Sequence, residues 1–247
     1  MTIRIGTAGW TIPATVAAAF PTGGTSLERY AACFDAAEIN SSFHRSHRAS
    51  TWARWRDSVP DGFRFSAKLP KTITHQRKLV DCADLVATFL REVAELGDKL
   101  AVLLVQLPPS LAFDPAVAQP FFDLLASNPA RIACEPRHAS WFEPDGDSLL
   151  ESLGIARVAA DPALSELAAR PGGDRAFSYW RLHGSPQMYR SSYAERIPAI
   201  GERLRCDEAA VSWCMFDNTA SSAAAADALA LRDVLRLEAP SAANSAA

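Results

Sequence analysis

Eight short apolar runs recur along this 247-residue chain at intervals of about 30 residues, and this spacing limits the possible folds more than any other feature. The runs are residues 3–6, 37–40, 63–68, 100–107, 131–135, 155–160, 177–183 and 211–216. One strand, one helix and their turns need about 30 residues, so eight such units account for the whole length. The sequence therefore predicts the α/β class, as a single TIM-type (β/α)8 barrel domain over residues 1–238.

Helix start and stop signals lie between several of these runs. Thr25-Ser26-Leu27-Glu28 is a capping box that predicts a helix over 27–37, and Asp114 before Pro115 predicts a second helix start. Residues 81–96 have apolar side chains at helical spacing, and Gly97 follows as a stop signal. These segments are typical of the outer helices of such a barrel.

The second half of the chain predicts a less regular pattern. Gly154 and the short gap before the seventh run predict a reduced sixth helix. Pro198 and Gly201 predict an interrupted helix or an ordered loop after the seventh run. Asn218 is the candidate cap of an alanine-rich helix that extends to residue 235. We therefore expect the barrel to be irregular around its sixth and seventh units.

Charge and cysteine content exclude several classes of partner. The 25 Lys and Arg nearly balance the 28 Asp and Glu, for a net charge of -3, so nothing predicts overall attraction to nucleic acid or membranes. No apolar run reaches the roughly 18 residues of a membrane span, and no secretory signal precedes the first strand. Five cysteines without a close pair predict reduced thiols and a cytoplasmic location. Residues 239–247 predict a disordered tail, and nothing in the sequence implies a cofactor or an obligate protein partner.

Four predicted strands end with two polar residues separated by one other residue. These ends are Glu38-Ile39-Asn40, Ser66-Ala67-Lys68, Glu135-Pro136-Arg137 and Arg181-Leu182-His183. Residues two apart share one face of a strand, and the carboxyl ends of all strands in such a barrel meet at one mouth. We therefore expect a polar site there, with Trp10, Gln106, Asp161, Asp217 and Asn218 contributed by the other strand ends.

The charges expected at this mouth nearly compensate one another. Four acids, Glu38, Glu135, Asp161 and Asp217, face three cations, Lys68, Arg137 and Arg181. A structural ion-pair network is one interpretation, since buried charges must be paired. A Mg²⁺ or Mn²⁺ site is a second, with His183 and the acids as ligands, although no histidine pair has ligand spacing and the cations would repel a metal; we assign no metal ligand. A third is a site in which the three cations bind an anion.

In this third interpretation Glu38, Glu135, Asp217 and His183 are the candidate catalytic acids and bases. The candidate substrate-binding residues are Trp10, Asn40, Lys68, His75, Gln106, Arg137, Trp141, Asp161, Arg181, Tyr189, Tyr193 and Asn218. Phosphate-loop, dinucleotide, nucleophile-elbow and HExxH motifs are absent from the sequence.

Seven segments in order resemble one known family. They are residues 4–10, 38–43, 65–75, 105–110, 135–141, 179–184 and 216–220, which begin RIGTAGW, EINSSF, FSAKLP, VQLPPS, EPRHASW, YWRLHG and FDNTA. Together they resemble the YecE-like family, known as domain of unknown function number seventy-two. The resemblance implies a TIM-type barrel and supplies no reaction. His44 and Asp227 depart from it, since the family usually has tyrosine and asparagine there.

The sequence thus favours an enzyme, of hydrolase, lyase or isomerase type, that acts on a small anionic or sugar-like substrate at the barrel mouth, although catalysis itself stays open. A non-catalytic nucleotide or single-stranded nucleic-acid binding protein is the alternative, supported by Trp180, Arg181, Tyr189 and Arg190. A metal-dependent phosphoesterase is a further alternative.

Overall fold

A computed structural model describes residues 1–237 and has a mixed α/β fold. The strands are β1 (Thr2–Thr7), β2 (Ala36–Ile39), β3 (Arg64–Lys68), β4 (Leu100–Gln106), β5 (Arg131–Glu135), β6 (Ala156–Arg157), β7 (Ala159–Asp161), β8 (Gly172–Gly173), β9 (Phe177–Leu182) and β10 (Val211–Phe216). The α-helices are α1 (Ser26–Ala31), α2 (Ser41–His44), α3 (Ala49–Asp57), α4 (Ala83–Val93), α5 (Pro115–Leu125), α6 (Pro144–Ser152), α7 (Ile197–Arg205) and α8 (Ala224–Leu237). Short 3₁₀ or π turns cover Ala14–Ala19, Thr72–Gln76, Ala94–Lys99, Ala139–Phe142 and Ala194–Arg196. The tail predicted for 239–247 lies outside the described residues.

The strands form two sheets, and almost every pair of neighbouring strands is parallel. One sheet has the order β1-β10-β9-β7 and the other the order β2-β3-β4-β5-β6-β8. Only β8, which pairs with β6, runs antiparallel within the described chain. The predicted α/β class with parallel strands is therefore confirmed.

The two sheets meet at two places. A single parallel bridge joins Ala8 to Glu38, and the Gly9 amide donates a hydrogen bond of 2.8 Å to the Glu38 carbonyl. At the other place the chain passes from β6, which pairs with β5, to β7, which pairs with β9, and Val158 separates the two segments. Eight successive strand regions are thus neighbours in chain order, with two interruptions.

Each of the eight predicted runs overlaps a strand, whereas only some of the predicted helix boundaries agree with the structure. Thr25 caps α1 with the predicted box, and the Asp114 carboxylate accepts from the Ala116 amide at the start of α5. The predicted end of α1 at residue 37 is wrong, since the helix ends at Ala31. The chain has to turn there because β2 begins at Ala36.

Two expectations for the last third of the chain are wrong. Pro198 does not interrupt α7 because it lies in the first turn, where a helix needs no N–H from that residue. Asn218 does not cap α8, which begins at Ala224, and its side chain instead donates to the Asp227 carboxylate at 2.7 Å.

The expected reduction of the sixth helix is confirmed. Between β7 and β9 the described chain has turns and the two-residue strand β8 in place of an α-helix. Arg157, buried on β6, holds this segment by donating to the carbonyls of Leu167 and Arg170 at 2.9 and 3.3 Å. It also pairs with Asp147 at 2.7 Å. Hydrogen bonds from this buried arginine therefore hold the segment between β7 and β9, where the described chain has no α-helix.

The inner face of the strands carries apolar side chains along most of its length and the polar residues of the candidate site at its carboxyl end. The inner apolar cluster comprises Ala36, Val102, Leu104, Ala133, Ala156, Val158, Phe177, Tyr179, Trp213 and Met215. Because side chains alternate along a strand, the next residues on the same face are Glu38, Gln106, Glu135, Arg181 and Asp217. The larger cluster lies on the opposite face, against the helices. No helix in the described part of the chain has the length and apolar character needed to cross a membrane.

Candidate functional site

Five charged residues meet where the inner faces of four strands end, and we call them the charged cluster: Glu38, Glu135, Arg181, His183 and Asp217. Glu38 lies on β2, Glu135 on β5 and Arg181 on β9, while His183 and Asp217 directly follow β9 and β10. Asp217 is 7% exposed and the other four at most 1%. Charges this deeply buried are stable only when each is paired.

Arg181 is the centre of the charged cluster. Its Nε and Nη2 donate to the two carboxylate oxygens of Glu38 at 3.0 and 2.6 Å, its Nη1 to Glu135 Oε2 at 2.5 Å, and its Nη2 also to Asp217 Oδ2 at 2.9 Å. The guanidinium is therefore enclosed by three carboxylates. The predicted role of Arg181 as an anion-binding fork does not fit this geometry, and the residue instead orders the acids around it.

His183 lies between two carboxylates of the cluster. Its Nδ1 is 3.0 Å from Asp217 Oδ2 and its Nε2 is 3.1 Å from Glu135 Oε1. Both oxygens also accept hydrogen bonds from arginine, so they belong to ionised carboxylates that only accept. Only the imidazolium has an N–H on both nitrogens, so His183 is protonated. Burial lowers its pKa, but the charge of Glu135 and the two hydrogen bonds outweigh burial and raise it above the ordinary value.

Two acids of the cluster, Glu135 and Asp217, are held ionised by the same contacts. Burial would raise the pKa of Glu135, but the charges of Arg181, His183 and Arg137 hold that pKa well below its ordinary range. The pKa of Asp217 is lowered in the same way, against burial, by Arg181 and His183. Glu38 accepts from Tyr179 Oη at 2.9 Å in addition to Arg181. Glu135 and Asp217 are therefore weak bases, whereas His183 has an N–H on each nitrogen and can donate a proton.

Lys68 ends β3 beside the cluster and differs from it in having no acceptor. The residue is 8% exposed, and its ammonium lies 4.3 Å from the centre of the Phe43 ring. Within residues 1–237 that ammonium has no hydrogen-bond acceptor, while Ser42 Oγ donates to the Lys68 carbonyl at 2.6 Å and fixes the backbone. Burial, followed by the charge of Arg181, lowers the pKa of Lys68 to about 8, against the attraction of the three acids.

Four further predicted residues surround this site. Arg137 donates to Glu135 Oε1 at 2.9 Å and lies 3.4 Å from the hydroxyl of Tyr189, whose ring stacks edge-on against His183 at 5.7 Å. Asn40 donates to Asp217 Oδ1 at 3.4 Å, and its own buried Oδ1 has no partner within the described chain. His75 packs against Phe43 at 5.0 Å, and burial together with Lys68 and Arg137 lowers its pKa.

Gln106 is the last predicted residue on the inner face of the strands. It is buried, and it pairs in register with Glu135 across β4 and β5. Its position beside the cluster agrees with the polar pattern of the strand ends.

Five predicted binding residues lie outside the charged cluster, where their contacts are with other parts of the protein. Trp10 packs against Trp55 and Phe65, and Trp141 is buried and donates to the Leu111 carbonyl. Asp161 forms an ion pair with Arg196 at 2.5 Å and accepts a hydrogen bond from the hydroxyl of Tyr193. Tyr193 is itself fully buried. Asn218 binds the Ser191 carbonyl and Asp227. The substrate-binding role predicted for these residues finds no support in their contacts.

Three residues outside the predicted catalytic and substrate-binding sets also shape the site. Tyr179 contacts Glu38, and its position two residues before Arg181 on β9 was a usable signal. The Phe43 ring makes a cation–π contact with the Lys68 ammonium. Asp227 accepts from Ser192 Oγ, the Tyr193 amide and Asn218 Nδ2, and so ties the segment after β9 to α8. Its partners are distant in sequence, and no local pattern reveals them.

The contacts bear on the alternative interpretations too. No group of three or more His, Cys, Asp or Glu side chains within residues 1–237 has the geometry of a metal site. A dication at the cluster would have to displace the Arg181 guanidinium from three carboxylates. The aromatic and arginine residues that support the nucleic-acid alternative do not form one surface. Trp180 is buried and donates to Asp207, whereas Tyr189 and Arg190 are exposed.

Comparison with known proteins identifies relatives without a described activity. A family model described as "Protein of unknown function DUF72" matches residues 4–247. The UPF0759 protein YecE of Escherichia coli K12 is 33% identical over 176 residues, which cover 68% of this chain and 62% of that protein. Its counterpart from Escherichia coli O157:H7 is 34% identical over 57% of this chain and 50% of its own length. The matched region thus spans less than two thirds of these relatives.

Solved structures share the fold at low sequence identity. DUF72 proteins from Enterococcus faecalis and Thermotoga maritima both have a TM-score of 0.78, at 20% and 21% identity, and the matches cover 96% of this chain and 97% and 100% of theirs. A D-psicose 3-epimerase determined in the presence of D-fructose has a TM-score of 0.57 at 15% identity, over 96% of this chain and 98% of its own. At these identities the likeness is one of fold.

Proposed function

Since this chain belongs to the DUF72 family, whose description assigns no function, we propose from its geometry that it is an enzyme acting on a small anionic or sugar-like substrate. The substrate binds where the inner faces of the strands end, beside the charged cluster. The reaction is of the hydrolase, lyase or isomerase type. We also propose that the two sheets work as one TIM-type barrel, supported by their strand order and two meeting places, and that the protein is cytoplasmic, supported by its five free thiols.

The Lys68 ammonium is the observation that carries this proposal. The Lys68 side chain is largely buried at 8% exposed, and its ammonium lies on the Phe43 ring with no hydrogen-bond acceptor in the described chain, so its hydrogen bonds depend on solvent or on a ligand. An anionic or hydroxyl-bearing ligand would supply the acceptor. A structural network, by contrast, would be complete without this residue.

The charge at the site also favours an anion. Arg181, protonated His183, Lys68 and Arg137 carry four positive charges, whereas Glu38, Glu135 and Asp217 carry three negative ones. One positive charge is therefore left at a site with little solvent, where an anionic group is attracted strongly. Arg137 is partly exposed and lies beside the exposed Tyr189, so this pair is placed to contact the ligand first.

Proton transfer falls to His183 and Lys68 in this arrangement. His183 enters the reaction protonated and donates, as a general acid. Lys68, whose pKa is lowered to about 8, is mostly ammonium at pH 7 and attracts the anion in that form, but it loses its proton more readily than an ordinary lysine and so can supply the basic amine. The related fold of a D-psicose 3-epimerase adds keto sugars to the candidate substrates.

A thermal-stability screen tests this proposal. The wild type is heated with a panel of phosphorylated and carboxylated sugars, hydroxy acids and keto sugars, beside the variants Lys68→Met and Lys78→Met. Lys78 is an exposed lysine and serves as the matched control. A compound present at 100 times its Kd stabilises the folded state by about 2.7 kcal/mol, or roughly 5–10 °C.

We expect at least one anionic or sugar-like compound to raise the melting temperature of the wild type and of Lys78→Met, but not of Lys68→Met. Proton NMR of that compound, incubated with the protein, should then show its conversion. If no compound stabilises the protein in a way that depends on Lys68, the proposed site is wrong. If one binds but stays unchanged, the site is a binding site and not a catalytic one.

A further inference from the structure

We propose that Lys68 forms a covalent imine with the carbonyl carbon of an aldehyde or ketone substrate. This inference rests on the proposed function, because it concerns the same site, but it adds a reaction step and narrows the substrate to a carbonyl compound. The proposal depends on the type of residue, on its surroundings and on the available proton donor.

The residue type is the first support. The chain has only four lysines, Lys68, Lys71, Lys78 and Lys99, and its other 21 strong bases are arginines. Arginine is the usual choice for binding an anion in a buried site, because its guanidinium forms paired hydrogen bonds and stays charged. Lysine differs in that it can lose its proton and attack a carbonyl group. A buried lysine in an arginine-rich chain therefore points to a function that needs an amine.

The surroundings of Lys68 are the second support. Nucleophilic lysines are activated when they are desolvated and lie near another cation. Lys68 is 8% exposed, its ammonium rests on the Phe43 ring, and no acceptor within residues 1–237 holds it in the charged form. By contrast, Lys99 donates to the carbonyls of Val59 and Pro60 at 2.5 and 2.8 Å. Lys68 is thus the one lysine of the described chain that is buried, and the fold gives its ammonium no hydrogen-bond acceptor.

The neighbouring charges have opposing effects on the pKa of Lys68. Arg181 favours the neutral amine, and Glu38, Glu135 and Asp217 favour the ammonium. His75 also faces this group, and its own pKa is lowered by burial, Lys68 and Arg137. Burial and Arg181 prevail, since the pKa of Lys68 falls to about 8. A substantial fraction of Lys68 is then neutral in mildly alkaline solution.

The step balances without any further reagent. The lone pair of the neutral amine forms a bond to the carbonyl carbon, the C=O π electrons move to the oxygen, and one proton of the nitrogen passes to that oxygen to give a neutral carbinolamine. Protonated His183, the acid of the cluster, donates a proton to that hydroxyl group, which leaves as water and gives a positively charged iminium; the proton that Lys68 released on becoming an amine then returns to His183. Overall, one ammonium and one carbonyl compound give one iminium and one water. The iminium keeps the single positive charge of Lys68.

Reductive trapping tests the inference with the intact protein. Wild type, Lys68→Arg and urea-unfolded wild type are each incubated at pH 8 with pyruvate and, separately, with dihydroxyacetone phosphate, in the presence of sodium cyanoborohydride. Peptide mass spectrometry then locates the adduct, which for pyruvate adds the mass of pyruvate less one oxygen atom. The other three lysines of the same molecule serve as internal controls.

We expect at least one probe to label Lys68 about 100 times faster than Lys71 or Lys78, since an ordinary lysine has a pKa near 10.4 and is almost fully charged at pH 8. The preference should vanish in urea, and Lys68→Arg should show only the slow background on the other lysines. Equal labelling of all four lysines in the folded protein, or none at Lys68, overturns the inference. If Lys68 stays unlabelled while ligands still stabilise the protein through Lys68, the imine is refuted and the proposed function stands.

Discussion

Arg181 organises the candidate site because its guanidinium binds the carboxylates of three strand ends. The acids come from β2, β5 and the end of β10, so each hydrogen bond of Arg181 also links separate parts of the fold. Removing one partner of a buried ion pair leaves uncompensated charge and typically costs about 3–5 kcal/mol. At the scale of single residues, Arg181 should therefore matter most for stability.

We predict that Arg181→Met lowers the free energy of unfolding by at least about 3 kcal/mol, measured by urea denaturation at pH 7. Arg175→Met is the matched control, since Arg175 is 86% exposed in its pair with Glu151 and should contribute less than about 1 kcal/mol. Adding Glu135→Gln to Arg181→Met removes one buried negative charge and should restore part of the loss. Equal stability of Arg181→Met and Arg175→Met would contradict this account of the cluster.

Lys68 should have the opposite effect on stability. Its pKa falls from 10.5 in the unfolded chain to about 8 in the folded protein, so between these values the unfolded chain binds more protons and stability rises with pH. Lys68→Met, which does not titrate there, should be more stable than the wild type below pH 8, by up to about 3 kcal/mol. The advantage should disappear above about pH 10.5. Urea denaturation from pH 6 to 10.5 checks this, and a variant that is less stable at pH 7 would refute it.

At the scale of elements, the meeting place of β1 and β2 depends on a glycine. A Cβ atom at Gly6 would collide with the Ala36 carbonyl oxygen and touch the Met215 side chain. The two strands are joined by only one bridge, at Ala8 and Glu38, so this close approach of the backbones holds them together. Glu38 enters the charged cluster from the same strand.

We predict that Gly6→Ala lowers the free energy of unfolding by about 1–3 kcal/mol, because the strands must separate to accommodate the methyl group. Gly62→Ala is the control, since Gly62 is exposed and a Cβ there meets no atom within 4 Å; its effect should stay within about 0.5 kcal/mol. Denaturation in urea measures both. If the two variants unfold alike, β1 and β2 are not in the close contact described here.

The strand elements and the polar strand ends were predictable because both follow a period of two. Glu38 with Asn40, and Arg181 with His183, share a face with the inner core by alternation alone. The pairing of these residues was not predictable, since Arg181 meets Glu38 across 143 positions of sequence. Asp161 was misassigned for a similar reason, because the segment after β9 brings Arg196 and Tyr193 to it. β8, with only two glycines, has no apolar pattern to detect.

For the whole molecule, the net charge of -3 says little about ligands, whereas the distribution of charge says more. Three acids and four cations are gathered at one end of the inner core, and one cation among them has no acceptor in the described chain. A purely structural network would be equally stable or more stable with apolar residues in its place. The retained charge therefore supports a site for an anionic or sugar-like ligand.

The most direct test of this account is the titration of the four lysines by ¹³C NMR, with the lysine Cε atoms labelled and each signal assigned by a lysine-to-arginine variant. We predict that one signal, lost in Lys68→Arg, titrates near pH 8, and that adding 3-phosphoglycerate, an anion that cannot form an imine, raises its pKa. Four signals that all titrate near the ordinary value of 10.4, with no response to the anion, would contradict the claim that the strand ends form a ligand site around Lys68.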